Sequence, residues 1–267
     1  MPAFKSCGVI TLTTDFGQEG PFVATMKGRI LGRFADARIV DVTHEIVVHW
    51  PVEAGFWLAR SYPYFPPGTV HVAVVDPGVG TERDIVAVQA EGHVFLAPDN
   101  GLLAPVLARA RGALAYRMTA RHLERFGLGT PSATFHGRDI FAPLAAELAA
   151  GRCQPADLGR EADDLAIGWT DEAERGPHGV RGVVITIDHF GNLITNIDEG
   201  LIADLVRPVV RAGNRTLPMR RTYGEMKPGE YLALINSFGV VEIARAEQSA
   251  AEGLGLGRGA PVTVTAE

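Results

Sequence analysis

The first half of the chain alternates short apolar runs with stretches whose apolar residues recur every three or four positions. Strands are predicted at residues 9–13, 38–42, 69–75, 85–89 and 93–97. Helices are predicted at 22–34, 52–60, 102–111 and 138–148, the first from the spacing of Phe22, Met26, Ile30 and Phe34. Strands that alternate with helices are typical of an α/β domain with a largely parallel sheet.

The second half is predicted to be rich in short strands separated by turns, with little helical periodicity. The expected strands are 180–188, 193–196, 209–211, 231–236, 240–244 and 261–264. This density of strands indicates a small antiparallel barrel or sandwich. Residues 159–179 are acidic and weakly periodic, so the pattern predicts an α/β domain over 1–158, a linker over 159–179 and a barrel or sandwich domain over 180–267.

Composition narrows the class of protein. The 267 residues are 46% hydrophobic and 21% charged, enough apolar material for a folded core. The net charge of −6 and the lack of a long basic run argue against nucleic-acid binding. Cys7 and Cys153 have no metal or redox spacing, and no apolar run approaches the roughly 18 residues of a membrane span. We therefore expect a soluble cytoplasmic protein that contacts neither membrane nor nucleic acid and has no metal site.

Polar clusters follow several predicted strands of the first domain. They are Thr13–Gly17, Asp76–Arg83 and Pro98–Gly101, joined by Phe135–Asp139 at the start of a predicted helix. Ligands bind outside the carboxyl ends of strands in open α/β sheets, so we expect these clusters to converge on one crevice.

Each cluster also has a structural interpretation. Asp76-Pro77-Gly78 and 98–101 have the composition of tight turns, and Asp15 could cap the following helix. His136 could be a half-buried histidine satisfied by its neighbours, and 188–192 a hairpin loop. Because the clusters occur together and in this order, a functional interpretation is favoured over the structural ones.

The order of these motifs resembles the S-adenosyl-L-methionine (SAM) hydroxide adenosyltransferases, the adenosine-forming SAM hydrolases related to fluorinase and chlorinase. The resemblance extends from about residue 10 to 264. It is carried by Thr11–Gly17, Met26–Gly28, Asp41–His44, Phe65–His71, Asp76–Thr81, Ala97–Gly101, Thr134–Asp139 and Phe190–Asn192. It implies SAM as substrate, no cofactor, an α/β domain followed by a β-barrel, and a homotrimer with active sites between subunits.

The resemblance also implies a role for individual residues. The catalytic set of the family corresponds to Asp76, Arg83 and His136, and its ribose-binding aspartate to Asp15. The implied substrate-binding residues are Asp15, Trp50, Phe135, Asp188, Phe190, Asn192, Tyr223 and Ser237. Among these, Trp50 and Tyr223 resemble pocket walls.

Departures from the halogenases favour the hydrolase. Fluorinase has a Tyr-Ser pair where this chain has His136 and Gly137, so the hydroxyl that holds the halide is missing, and an inserted loop after the counterpart of 98–101 is absent. Phe238 stands where fluorinase has an arginine, so the methionine carboxylate would be held by other groups.

The implied residues suit displacement at a sulfonium. The leaving group is a neutral thioether that needs no acid, whereas water has a pKa near 15.7 and must be activated. Arg83 can stabilise developing hydroxide, and either Asp76 or His136 can accept the proton. The sequence therefore predicts hydrolysis of SAM to adenosine and L-methionine by SN2-type attack at ribose C5′. The alternatives are a SAM- or adenosine-binding sensor with little turnover and, less favoured, a halogenase.

Overall fold

The computed structural model describes residues 2–168 and 172–267, and these two stretches form two compact units. The strands of the first unit are β1 (Val9–Thr14), β2 (Arg38–Thr43), β3 (Val70–Val74), β4 (Ile85–Ala90), β5 (His93–Pro98), β6 (Leu114–Met118) and β7 (Gly159–Ala162). Its helices are α1 (Phe22–Arg33), α2 (Pro51–Ser61), α3 (Ala104–Arg109), α4 (Ala120–Arg125) and α5 (Ala142–Ala149). Shorter helical turns cover Tyr62–Tyr64, Gly137–Phe141 and Pro155–Asp157.

The sheet of the first unit has the order β2-β1-β3-β5-β4-β6-β7. It is parallel from β2 to β5 and antiparallel from β5 to β7. The predicted α/β class is confirmed, and the sheet is a mixed one whose parallel half comes first. The antiparallel half begins with the β4–β5 hairpin, where Glu91 and Gly92 both have positive φ, 49° and 84°, as a tight hairpin turn requires.

Both faces of this sheet are covered by helices. On one face Ile10 and Leu12 of β1 pack in the same buried cluster as Met26 and Ile30 of α1 and Leu144 of α5. On the other face residues of α2 and α3 pack against β4 and β5, around the fully buried Phe95. Burial on both faces is the reason that β3 reads as a nearly continuous apolar run.

The parallel pairing of β1 with β3 brings two of the polar clusters to one edge. Thr14 pairs with Val74, so Asp15 and Asp76 follow neighbouring strands at the same end of the sheet. The convergence expected for open α/β sheets is therefore present for these two segments.

The second unit is an antiparallel barrel-like sheet. Its strands are β8 (Glu174–Gly176), β9 (Gly179–Ile187), β10 (Leu193–Asp198), β11 (Pro208–Ala212), β12 (Arg215–Pro218), β13 (Tyr231–Ile235), β14 (Val240–Arg245) and β15 (Pro261–Ala266), with helices α6 (Glu199–Ile202) and α7 (Ala250–Leu254) and a 3₁₀ turn at Tyr223–Glu225. The order is β12-β11-β15-β9-β10-β14-β13, and β8 pairs with β9. A bridge between Met219 and Ala233 nearly closes the sheet, which confirms the predicted barrel class.

The segment 159–179, predicted to be a linker, contains structure at both ends. Residues 159–162 are β7, which pairs with β6, and residues 174–176 are β8, which pairs with β9. Residues 169–171 lie outside the described residues. The domain limits 1–158 and 180–267 stay a prediction. Within the described part of the chain, no helix is both long and apolar enough to cross a membrane.

Candidate active site

Asp76, Arg83 and His136 form one connected group in the first unit. The Arg83 Nε donates to both carboxylate oxygens of Asp76, at 2.9 Å each, and its Nη2 also donates to Asp76 Oδ2. The same Nη2 lies 2.8 Å from His136 Nδ1. The Asp76 and Arg83 side chains are only 5% and 11% exposed, so this contact is shielded from water.

The contact with Arg83 fixes which nitrogen of His136 carries a proton. A guanidinium has donors only, so His136 Nδ1 must be the acceptor, and the neutral ring carries its proton on Nε2. Burial and the positive charge of Arg83 lower the pKa of His136, against the opposing effect of Asp76 and Asp139. Both effects keep the imidazole neutral at pH 7.

Two loops meet to build this group, and Gly80 allows the approach. Gly80 has a φ of +78°, and a Cβ there would lie 2.0 Å from the backbone oxygen of Ala133. The loop 76–83 is closed by hydrogen bonds from Val79 N to Asp76 O and from Thr81 N to Gly78 O. Because these two backbone segments pass so closely, Arg83 at the end of the 76–83 loop can reach His136, which follows Ala133 in the other segment.

His136 stands at the start of a π-helical turn. This turn, Gly137–Phe141, leads directly into α5, where a regular helix was predicted from residue 138. The Asp139 carboxylate accepts from Ser132 N at 3.0 Å and binds Arg138, which ties the preceding loop to the turn. π-turns occur frequently at functional sites because they shift the side chains of one helical turn.

Asp15 lies in the loop after β1 and does not cap α1, whose N-cap is Pro21. Its Oδ2 accepts from His49 N at 2.9 Å, and His49 has a φ of +64°. A non-glycine residue in this region is strained, and such strain is maintained only where the surrounding structure imposes it. Because the N-cap of α1 is Pro21 and Asp15 instead accepts from His49 N, the helix-cap interpretation of Asp15 is wrong.

The loop that carries Asp15 is held by His44, a residue of the Asp41–His44 motif. His44 is 1% exposed, its Nδ1 lies 2.8 Å from Thr14 Oγ1, and its backbone oxygen accepts from Gly17 N at 2.8 Å. His44 Nε2 lies 3.1 Å from Asp41 Oδ1, and Asp41 also pairs with Lys27. The contacts of His44 with Thr14 and Gly17 fix both ends of the Asp15 loop.

Trp50 and the 98–101 turn line a small cavity in the first unit. Its volume is about 240 Å³, and its lining residues are Trp50, Pro51, Val52, Asn100, Gly101 and Gly168. Asn100 Nδ2 donates to Val75 O at 2.9 Å, which ties the turn to the end of β3. The segment 98–101 is thus a turn, and its residues Asn100 and Gly101 lie beside Trp50.

Phe135 belongs to an aromatic cluster next to His136. Its ring centroid lies 5.7 Å from that of Phe16 and 5.5 Å from that of Phe22, both edge-to-face. Phe22 is 50% exposed, so the cluster reaches the surface. Gly137 is buried against it, since a Cβ there would meet Met26 Sδ and Phe135 at 3.2 Å.

The remaining predicted residues belong to the second unit. Asp188 closes the β9–β10 hairpin turn: its Oδ1 accepts from the backbone N–H groups of Phe190 and Asn192, at 2.9 and 2.8 Å, and its Oδ2 from Asn192 Nδ2. The hairpin interpretation is thus correct for the backbone. It leaves Phe190 75% exposed at the tip of the turn.

Tyr223 and Ser237 lie near a carboxylate that the motifs did not single out. Tyr223 OH donates to Glu242 Oε1 at 2.6 Å, and Glu242 also accepts from Asn236, the neighbour of the exposed Ser237. Glu242 was missed because one glutamate within an apolar strand, β14, resembles an outward-facing position. Its flanking pattern, Val-Val-Glu-Ile-Ala, was the available signal for a buried charge.

Comparison with known proteins decides the family. Residues 10–159 match the SAM hydroxide adenosyltransferase N-terminal domain and residues 182–263 its C-terminal domain. The chain belongs to this family. The family membership implied by the sequence motifs is therefore confirmed.

Named relatives cover nearly the whole chain. A protein of Thermus thermophilus named (R)-S-adenosyl-L-methionine hydrolase is 39% identical over 93% of this chain and 96% of its own length. One of the same name from Methanocaldococcus jannaschii is 36% identical over 89% of this chain and 88% of its own length. A fluorinase of Actinopolyspora mzabensis is 29% identical over 96% and 97% of the two chains.

A solved structure agrees with the fold. An uncharacterized conserved protein from Thermotoga maritima has a TM-score of 0.88 and 32% sequence identity, covering 96% of this chain and 99% of its own. Membership of the adenosyltransferase family thus rests on sequence and on fold alike.

Proposed function

We propose that this chain hydrolyses SAM to adenosine and L-methionine by attack of an activated water at ribose C5′. The observation that carries the proposal is the contact of Arg83 with both Asp76 and His136. Binding SAM does not require a shielded arginine held between a carboxylate and an imidazole, whereas stabilising hydroxide does. The hydrolase names of the relatives in Thermus and Methanocaldococcus support the same reaction.

The geometry favours Asp76 as the proton acceptor. His136 uses its only lone pair toward Arg83, so its role here is to orient the guanidinium. Carboxylate oxygens have several acceptor positions, and Asp76 can accept from a water while it also binds Arg83. Arg83 would stabilise the developing hydroxide, and attack of an anion on the sulfonium cation would cancel charge, which is favoured where the reacting groups are shielded from water.

The substrate-binding roles follow from the same proposal. Asp15 would bind the ribose hydroxyls, with Trp50 and Phe135 as apolar walls. In the second unit Asp188, Phe190, Asn192, Tyr223 and Ser237 would contact the rest of SAM. The exposed aromatic rings of Phe22 and Phe190 are consistent with a homotrimer in which neighbouring subunits share a site, and light scattering would measure that mass. The cytoplasmic location stays a prediction.

Two substitutions test the assignment of the base. Asp76→Asn keeps the size of the side chain and removes the acceptor of the proton, so turnover of SAM should fall by about 10²–10⁴. His136→Asn leaves an amide oxygen where Nδ1 accepts from Arg83, so it should cost roughly tenfold or less.

Adenosine and methionine released from SAM are measured by chromatography and mass spectrometry. The reverse order of the two losses would assign the base to His136. SAM bound by the wild type without turnover would favour the sensor, and a 5′-halo-5′-deoxyadenosine formed with halide would favour the halogenase.

A further inference from the structure

Glu242 is a buried carboxylate at the end of the barrel that carries the predicted substrate-binding residues of the second unit. It lies on β14 and is 3% exposed. Its Oε1 accepts from Tyr223 OH at 2.6 Å and its Oε2 from Asn236 Nδ2 at 3.2 Å. One side chain therefore connects two loops that are distant in sequence.

The contact with Asn236 extends to the turn that contains Ser237. Asn236 Oδ1 accepts from Phe238 N at 3.0 Å, and Asn236 N donates to Val240 O at 2.9 Å. Glu242 orients the amide of Asn236, and that amide orients the backbone on both sides of Ser237. Loss of the carboxylate would release this turn and the Tyr223 phenol together.

Both oxygens of Glu242 accept hydrogen bonds from neutral donors, as the oxygens of an ionised carboxylate do. Burial raises the pKa of Glu242, the hydrogen bonds from Tyr223 and Asn236 oppose that rise, and the negative charge of Asp188 adds to it. Burial, Glu242 and Asp188 also raise the pKa of Tyr223, which keeps its hydroxyl protonated as the donor. Neutral donors stabilise a carboxylate without cancelling its charge, so Glu242 and Asp188 both add negative potential at this end of the barrel.

We infer that Glu242 is a positioning and specificity residue, which holds Tyr223 and the Ser237 turn in place and makes this part of the second unit favour a cationic ligand. The inference rests on the proposed function, because SAM is a cation at sulfur. It assigns no contact between Glu242 and substrate. A ligand of the same shape with a neutral sulfur should depend on Glu242 less.

The experiment compares Glu242→Gln with the wild type on two ligands. KM and kcat are measured for SAM, and Ki for S-adenosyl-L-homocysteine, which has a neutral thioether in place of the sulfonium. We expect KM for SAM to rise by roughly tenfold or more, because glutamine removes the negative charge and can replace only one of the two acceptor oxygens, with kcat changed by no more than about threefold. Ki should rise by a smaller factor than KM, because the thioether is affected by the lost positioning but not by the lost negative charge. An unchanged KM, or equal rises in KM and Ki, would overturn the inference.

Two further variants keep the test interpretable. Glu174→Gln removes one exposed carboxylate from β8 of the same unit and should leave both constants unchanged. Tyr223→Phe removes one hydroxyl from a residue that is 45% exposed, so it tests the contact even where Glu242→Gln fails to fold. It should raise KM for SAM about threefold, and an unchanged KM would count against the inference.

A wild type that does not hydrolyse SAM would instead refute the proposed function. An active wild type whose KM for SAM does not change in Glu242→Gln would refute this inference alone.

Discussion

Acid should destabilise the first unit through a buried pair of histidines. His71 is 1% exposed, its Nδ1 lies 2.8 Å from Thr11 Oγ1, and its Nε2 lies 3.1 Å from His93 Nδ1. Its ring stacks on Phe95 at 4.9 Å. Burial and the neighbouring His93 lower the pKa of His71 from 6.5 to about 3. Burial also lowers the pKa of His93, against the charge of Glu91.

The direction of the pH effect follows from these values. Below pH 6.5 the unfolded chain binds a proton at His71 that the folded chain does not bind until about pH 3. Stability is therefore full above pH 6.5 and is lost as the pH falls toward 3. Each pH unit in this window costs about 1.4 kcal/mol, so acidification from pH 7 to 5 should remove about 2 kcal/mol through His71 alone.

Urea unfolding at pH 7 and pH 5, followed by tryptophan fluorescence, measures this loss. Trp50 and Trp57 report on the same unit as His71. The control is His71→Gln, which cannot titrate and can still form polar contacts in the core. The free energy of unfolding of the wild type should fall by about 2 kcal/mol more than that of the variant. Equal losses would show that the folded state protonates His71 near its ordinary pKa and would refute the reasoning.

Three other predictions concern the site. Gly80→Ala should destabilise the protein by about 1–3 kcal/mol more than Gly129→Ala in thermal unfolding, because both have positive φ but only Gly80 faces a backbone atom, Ala133 O; equal losses would contradict this. Protonation of His136 would oppose Arg83, so kcat/KM should decline only below pH 6.5, and a decline already above it would argue against the lowered pKa. His44→Ala should raise KM for SAM by roughly tenfold, because it frees the Asp15 loop. Lys27→Ala, which removes only the exposed Lys27–Asp41 pair, should leave KM nearly unchanged. A larger rise in KM for Lys27→Ala than for His44→Ala would exclude this role for His44.

Much of the fold could be predicted from periodicity. The apolar run before Asp76 indicated a strand buried on both faces, the alternation of strands and helices indicated a parallel sheet, and the parallel pairing of Thr14 with Val74 agrees with that class. The extension of the antiparallel half beyond the β4–β5 pair could not be predicted, because the pairing of β4 with β6 depends on tertiary contacts. The same holds for β7, whose four residues carry little pattern of their own.

The site was predictable where a motif is local and less so where contacts are distant. Arg83 is only seven residues from Asp76, but the 2.8 Å contact with His136 depends on the passage of Gly80 under Ala133. Glu242 is nineteen residues from Tyr223, and nothing in the spacing indicates their contact. Motifs thus identify the residues, whereas the tautomer of His136 and the role of Glu242 follow only from the coordinates.

Hydrolysis of SAM in ¹⁸O-labelled water is the most direct test of the proposed chemistry. The purified protein is incubated with SAM, and the products are separated and analysed by mass spectrometry. Attack by water at C5′ predicts free L-methionine and adenosine that carries the label on its 5′ oxygen, with formation lost in Asp76→Asn. Unconsumed SAM, or adenosine without the label, would contradict the proposal.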